Sequence, residues 1–500
     1  MVYRLRFYWV VAAGGAILMA LEILSSRVLA PHFGNSVYVW GSIISVFLGA
    51  LSVGYLWGGW LADREPSMAA LGRLIVLAAV FQAIVLLAGS RLTAWLGEIT
   101  GGTPAGTLLA ASVLFGPASV LLATVSPYAV RLAARDLGVL GNTAGRLYAL
   151  STLGSLAGTL GCTFGLIPFL ELRQIIGLLT AATAATAGVA LAGSVRRQAP
   201  AAVLAVLVLA VAIPAAFLPQ RLAGDLIYER VTPYQTLEVR ERNGVRTLES
   251  DRIRQAAVRM SDGESMLLYP RYAAAAWLLK PDVRRVLVIG LGGGNVGSYL
   301  RRRIPGLTVD YVDIDPAVLE VARRFLAFHA GPADRVTVAD GRSFLRASPQ
   351  SWDFIYCDAY IGLSVPFHLT TVQFLDEVKR HLTPGGVFGL NLSVGLSDPF
   401  SQAMYRTVRE RFRSVYLLSV WGAPNSEVLA ADMPGLTPAE LVARGRELDR
   451  RWRFDPPLAA AAARRQAVSF EEASVPVLSD EFAPVDRLIQ LGVAQRAKRP

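Results

Sequence analysis

The stretch VLVIGLGGGNVGSYL (residues 286–300) sets Gly290, Gly292 and Gly294 between an apolar strand pattern and the start of a helix. Residues without a side chain permit a tight turn and let a ligand approach the backbone, and the following helix N-terminus offers amide donors. The next strand pattern, LTVDYVDID, carries Asp313 about twenty residues further on, where a carboxylate accepts both hydroxyls of a ribose. A third, VTVADG, ends in Asp340-Gly341, placed to meet an adenine amino group. A dinucleotide site shares the turn and Asp313 but explains neither the Asp-Gly pair nor the β unit upstream of it. These residues therefore point to a nucleoside site.

Such residues need strand ends to stand on. From Arg284 the patterns alternate: VRRVLVIG, a helix from about Val296, LTVDYVDID, a helix over 317–328, VTVADG, WDFIYCDA, a helix over 372–382, and GGVFGLNL. Alternation of this kind implies a mostly parallel sheet with helices on both faces and a ligand at the C-terminal strand ends. Upstream, over 226–266, the segments YQTLEVRER, VRTLESDRI and QAAVRM are punctuated by Asn-Gly and Asp-Gly. Those dipeptides are strong hairpin signals, so a small antiparallel β unit precedes the α/β domain.

The rest of the chain is of another kind. It has 500 residues, 53% of them hydrophobic, with the apolar material concentrated before about Pro219. Seven stretches, near 7–30, 37–61, 71–88, 105–124, 147–170, 175–191 and 201–218, approach the roughly 20 apolar residues that a membrane-crossing helix requires. The first is too long and its end too poor a processing site for a cleaved signal peptide. The expected domains are thus a polytopic membrane domain over 1–222, the β-hairpin unit over 223–280 and a Rossmann-like domain over 281–500. Gly54 with Gly58, and Gly154 with Gly158, have the spacing at which helix backbones pack closely in lipid. Glu22 and Arg27 fall within the first span, where an ionisable group faces a partner or a wet cavity. The run GGWLADRE (58–65) resembles the loop signature of major-facilitator transporters.

Charge argues about orientation. Arg4, Arg6, Arg64, Arg73, Arg131, Arg135, Arg146, Arg196 and Arg197 put the N-terminus inside, and seven spans would then leave the C-terminal domain outside. A domain that uses a cytosolic nucleoside belongs inside the cell, which favours a miscounted span in a multi-pass protein of the inner membrane. The net charge of +11 is mostly arginine without interleaved aromatics, suited to lipid headgroups rather than nucleic acid. Two cysteines and four histidines without paired spacing support neither a disulfide nor a zinc site.

Taken in order, TPYQ (232–235), Asp251 with Gln255, Tyr269, the glycine turn, DID (313–315), DGRSFL (340–345), CDAY (357–360) and SDEFAPVDRL (479–488) resemble the spermidine-synthase-like polyamine aminopropyltransferases, in particular the branch fused to an N-terminal multi-span domain. The resemblance implies a β-hairpin unit followed by a Rossmann-like, class I methyltransferase-like domain that binds decarboxylated S-adenosylmethionine and a polyamine. By position it implies that Gln235 and Asp313 hold the ribose and the sulfonium side, Asp340 the adenine, and that Tyr269 and Gln255 line the centre. Asp358 takes the family's base position: an amine attacking a carbon beside a sulfonium must first lose a proton, and a carboxylate both attracts the cation and accepts that proton.

The departures from the family are specific. Its turn is GGGDGG, whose Asp recognises the free aminopropyl amine and disfavours the carboxylate of ordinary S-adenosylmethionine; the aligned residue is Gly293. Its DSxDP becomes Asp358-Ala359-Tyr360-Ile361, without the second acid used on the polyamine, and Pro270-Arg271 stand where His-Glu would follow Tyr269. SVPFHLTT adds His368, either a second acid/base or a loop-packing histidine. The resemblance implies a membrane-integral aminopropyl transfer from decarboxylated S-adenosylmethionine to an amine such as putrescine. The alternatives are an S-adenosylmethionine-dependent methyltransferase acting on a membrane-delivered acceptor, favoured by the loss of carboxylates, and a polyamine transporter with a nucleoside-sensing domain. The partners expected are a small amine or membrane-associated acceptor and the lipid bilayer, with no nucleic acid and with a homo-oligomer left open.

Overall fold

A computed structural model describes residues 2–34, 36–101, 103–133, 140–195, 197–217, 224–362, 364–396, 398–468, 470–471 and 474–497. The boundary expected at 222, and Arg135 and Arg196 of the charge argument, lie outside the described residues. The chain divides into two compact units, Met1–Arg221 with Arg230–Pro233, and Leu222–Glu229 with Tyr234–Pro500.

The first unit is helical: α1 Val2–Phe33, α2 Val37–Arg64, α3 Met68–Thr100, α4 Pro104–Ala123, α5 Val125–Ala133, α6 Leu140–Leu160, α7 Leu172–Leu191 and α8 Ala199–Phe217. Among the described residues these make seven helical spans long and apolar enough to cross a membrane, α4 and α5 forming one of them. No eighth candidate occurs there. α4 and α5 part at Thr124 because Pro127 has no amide to donate to the carbonyl of Ala123 and its ring crowds that position. The fifth span begins earlier than expected, at Leu140, and ends at Leu166 in a wider turn over Gly161–Leu166. There Pro168 denies Phe164 its partner, and the Ile167 amide bonds instead to the Cys162 carbonyl at 2.9 Å. The paired glycines are points of backbone contact. A Cβ at Gly154 would lie 2.1 Å from the Ala12 carbonyl oxygen, one at Gly158 would lie 2.0 Å from that of Ala16, and one at Gly54 would lie 2.4 Å from that of Val120.

The second unit opens with a four-stranded sheet in the order β1 (Leu226–Val231), β2 (Thr236–Arg242), β3 (Val245–Ser250) and β4 (Ile253–Arg259). Asn243-Gly244 joins β2 to β3 with both residues at positive φ, which matches the twist of the flanking antiparallel strands. The segment VRTLESDRI, expected to run as one strand, is broken at Asp251-Arg252, also both at positive φ. Asp251 holds this second turn by accepting from the Thr236 amide at 2.9 Å.

After α9 (Tyr269–Tyr272) come β5 (Arg285–Ile289), α10 (Asn295–Arg303), β6 (Thr308–Asp313), α11 (Pro316–Phe325), β7 (Val336–Val338), α12 (Gly341–Ala347), β8 (Trp352–Cys357), α13 (Val372–Arg380), β9 (Leu382–Leu392), α14 (Pro399–Arg409), β10 (Ser414–Ser419) and β11 (Ser426–Ala431), then α15 (Pro438–Arg451), α16 (Leu458–Ala463) and α17 (Val485–Ala497). The strands form one sheet in the order β10-β11-β9-β8-β5-β6-β7. Five are parallel, from β9 to β7, as the alternation predicts; β11 and β10 add an antiparallel edge that the alternation did not reveal. Val286 and Val288 of β5 enter one core while Leu287 and Ile289 enter the other, so helices cover both faces. Chain order reverses at β5, and a crevice opens at the C-terminal ends of the strands beside such a reversal. α11 stops at Phe325, short of the expected 328, because Ala327 takes a positive φ of 54°; α13 likewise ends at Arg380 rather than 382.

Gly158→Ala is expected to cost about 1–3 kcal/mol, since the carbonyl it meets cannot yield without moving a helix. The thermal midpoint of the detergent-purified protein should fall, whereas Gly141→Ala, with nothing among the described residues within 4 Å of its added Cβ, should leave it in place.

Candidate functional site

The ends of β5, β6, β7 and β8 are held level by backbone bonds. The Gly290 amide donates to Val312, that of Asp358 to Ile289 (both 2.8 Å) and that of Ala339 to Asp313 (2.9 Å). Above them lies a pocket lined by nine of the ten expected site residues: Gln235, Gln255, Tyr269, Gly290, Gly292, Asp313, Asp340, Asp358 and His368. Gly294 is the tenth and does not line it. At φ 68° it starts α10, and a Cβ there would collide with the Phe328 ring at 2.1 Å, so its task is to let that helix pack. Gly290, at φ 95°, passes so close to Asp358 that a Cβ would lie 2.3 Å from its carbonyl oxygen, while nothing lies within 4 Å of a Cβ at Gly292. The turn is thus closed toward Asp358 and open at its crest, where a ligand could meet backbone.

Asp313 organises that turn. Its Oδ2 accepts from the Leu291 amide at 2.8 Å and its Oδ1 from the Asp315 amide at 2.9 Å. Burial pushes its pKa up to about 6 even though these amides, with that of Gly292, oppose the shift. Gln235 joins the β unit to the same corner: its amide donates to Asp315 Oδ2 at 3.2 Å, and its carbonyl oxygen accepts from the Ser250 hydroxyl. Gln255, on β4, donates to the Gly362 carbonyl at 3.1 Å, bracing the loop that follows Asp358.

Asp358 stands just past β8, half-buried and facing the pocket. Burial raises its carboxyl pKa, and the Asn391 amide, donating to Oδ1 at 2.9 Å, and the Tyr269 hydroxyl oppose that rise. Asn391 is itself fixed by Asn425, which donates to its Oδ1 at 3.0 Å. The Tyr269 hydroxyl also lies 3.3 Å from the Gln255 carbonyl. Its own pKa is pushed well above 10 by burial and by the Asp358 charge, so it remains a donor. Behind them Glu427 is fully buried on β11, opposite Asn391. Its Oε1 accepts from Tyr356 at 2.8 Å and its Oε2 has no hydrogen-bond partner among the described residues. Burial pushes its pKa well above the usual carboxylate range. The sequence reading singles out none of Asn391, Asn425 and Glu427; for Asn391 and Glu427 the signal available was a polar residue inside the apolar strand runs GLNL and SEVLAA, and for Asn425, just before the second run, there was none.

At the other end, Asp340 caps α12, its Oδ1 accepting from the Ser343 amide at 2.8 Å, and its Oδ2 lies 2.7 Å from His368 Nε2. Burial alone would raise the Asp340 pKa, but these two partners outweigh it and hold the group below its usual value. The SDEFAPVDRL segment supports this corner from outside: Asp480 takes both guanidinium nitrogens of Arg342 at 2.7 and 2.8 Å, and Arg342 also donates to the His368 carbonyl at 3.2 Å. Arg271 points away from the pocket, to Asp455 and the Ser265 carbonyl. A Cβ at Gly293 would stand 2.7 Å from that of Ala256, so no side chain fits there unless β4 moves.

Known proteins resemble the second half of the chain. The methyltransferase-domain family matches residues 287–388. A polyamine aminopropyltransferase of Vibrio vulnificus is 31% identical over 236 residues, 43% of this chain and 79% of that protein. A probable polyamine aminopropyl transferase of Bifidobacterium longum is 31% identical over 44% of this chain and 47% of its own length. An eEF1A lysine and N-terminal methyltransferase of Bos taurus is 31% identical over 33% of this chain and 25% of its own. Among solved structures, the spermidine synthase of Thermotoga maritima aligns with 49% of this chain and 85% of its own at 20% identity and a TM-score of 0.40.

With Asp313 half-protonated near pH 6, its capacity to accept ligand hydroxyls is lost as pH falls through that value. Affinity for methylthioadenosine, measured by calorimetry between pH 5 and 8, should be level above about pH 7 and fall by up to about tenfold per unit below 6. Asp313→Asn should weaken binding and flatten that limb.

Proposed function

Because its C-terminal half belongs to the polyamine aminopropyltransferase family, we propose that the chain transfers the aminopropyl group of decarboxylated S-adenosylmethionine to an amine. The observation that carries this reading is Asp358, a carboxylate at the strand end beside the glycine turn, held by Asn391 and Tyr269 and open to the pocket. An acceptor ammonium is drawn to Asp358 and gives it a proton. The freed amine lone pair then attacks the methylene bonded to the sulfonium. The C–N bond forms as the C–S bond breaks, the electron pair goes to sulfur, and methylthioadenosine leaves as a neutral thioether. Tyr269 and Asn391 keep the carboxylate oriented and ionised until the amine arrives.

We assign Asp313 to the ribose hydroxyls and Gln235 to the side of the nucleoside near the sulfonium. Asp340 takes the adenine amino group with the lone pairs that Ser343 and His368 leave free. His368 is then a positioning residue that acts through Asp340. The seven apolar helices are compatible with a multi-pass membrane protein; we place it in the inner membrane with the catalytic unit on the cytoplasmic side, where the donor is made, against the sign of the loop charges. Methyl transfer from intact S-adenosylmethionine is the second reading, favoured by the bare Gly293 and by relatives named as methyltransferases.

Incubation of the purified protein with both donors in competition, and with putrescine, a monoamine and a lipid extract as acceptors, separates the two by product mass. Methylthioadenosine release is the expected result; S-adenosylhomocysteine release overturns aminopropyl transfer. Asp358→Asn should lower kcat about 100- to 10,000-fold with donor affinity retained, and full activity in that variant would remove the base assignment.

A further inference from the structure

The acceptor side of the pocket has a charge pattern of its own. The carboxylates among its described lining residues are Asp313, Asp340 and Asp358. Asp313 is engaged by the amides of the glycine turn and Asp340 by Ser343 and His368, both at the nucleoside end. Beyond Asp358 the lining continues through Ala359, Tyr360, Ile361 and Pro366. The Tyr360 hydroxyl is turned into the wall, donating to the Asn391 carbonyl at 2.8 Å. Further acids stand nearby and none is among the described lining residues: Asp251 accepts from the Thr236 amide, Asp486 accepts from the Ser364 hydroxyl at 3.2 Å, and Glu427 lies behind Tyr356, where burial pushes its pKa well above the usual carboxylate range. The acceptor therefore meets one carboxylate and then a neutral, largely apolar wall, continued at the surface by Phe367, which is 52% exposed.

We propose that the acceptor is a primary monoamine with an apolar body rather than a diamine or polyamine, and that Ile361 is the residue that sets this preference. The inference rests on the aminopropyl-transfer reading and names its substrate class. One ammonium is satisfied by Asp358 and consumed in the reaction. A second ammonium on the same molecule would enter the pocket without a counter-charge and leave its hydration behind, which is costly for an ion and not for a methyl group.

The test uses two amines of matched length: putrescine, and 1-pentylamine, in which a methyl replaces the second ammonium. With decarboxylated S-adenosylmethionine and full-length protein, kcat/KM for 1-pentylamine should exceed that for putrescine at least tenfold. Ile361→Asp should move the ratio toward putrescine at least tenfold. Calorimetric titration of both amines into the wild-type protein saturated with methylthioadenosine reads the same preference without turnover and does not depend on the variant folding. Putrescine binding as tightly and reacting as fast as 1-pentylamine in the wild type overturns the inference while leaving aminopropyl transfer intact. Release of S-adenosylhomocysteine, with neither amine aminopropylated, overturns the reading on which it stands.

Discussion

The Asp313 carboxylate, spanning from the end of β6 to the amides of the glycine turn after β5, is the interaction on which the site depends. It closes a loop that crosses between neighbouring strands, so the turn, the corner at Asp315 and the end of β8 share one frame. A carboxylate so enclosed resists ionisation, which is why burial and not a neighbouring charge dominates its raised pKa. Gln235 extends the same frame to the antiparallel unit through Asp315 and Ser250. The β unit is thereby part of the pocket wall.

The Asp358 end and the Asp340 end of the pocket use opposite electrostatics. At Asp340 a histidine and a helix-start amide hold the carboxylate below its usual pKa, and the Arg342–Asp480 pair, 138 residues apart in the chain, steadies that corner from behind. At Asp358 burial works in the other direction, and only neutral donors, Asn391 and Tyr269, oppose it. A carboxylate that is desolvated but not ion-paired keeps an affinity for a proton, which is what a general base needs. Glu427, whose Oε2 meets no hydrogen-bond partner among the described residues, carries the same desolvation further.

The helical unit rests on steric rather than electrostatic contact. Gly154 and Gly158 let α6 lie against the carbonyls of α1, Gly54 does the same for α2 against α4, and Gly58 lets α2 approach Thr124 and Pro127 where α4 gives way to α5, at distances no side chain permits. Such backbone approach is the packing expected of helices in lipid, which gain little from burying apolar surface against one another. Glu22 sits half-buried on α1 in this unit.

Much of this was legible from local pattern. Apolar run length reports helices long enough to cross a membrane because the bilayer sets a length, and strand-helix alternation reports a parallel sheet because the crossover demands it. Asn243-Gly244 announced its hairpin by the same logic, since few dipeptides tolerate two positive φ values; Asp251-Arg252 makes the same turn without the glycine and so passed unseen. The glycine turn, Asp313, Asp340 and Asp358 were visible because each ends a strand. The antiparallel edge β11-β10 was not, and with it went Asn425 and Glu427. These residues come beside Asp358 only because β11 pairs with β9 across the sheet, a neighbour relation set by strand order and not by sequence distance. The difference between Gly292 and Gly294 was equally hidden, because both belong to one motif and only the packing of Phe328 against the second tells them apart. Sequence determined which groups exist at the strand ends; the tertiary structure decided which face the pocket, because lateral pairing and side-chain packing bring together residues that no local period connects.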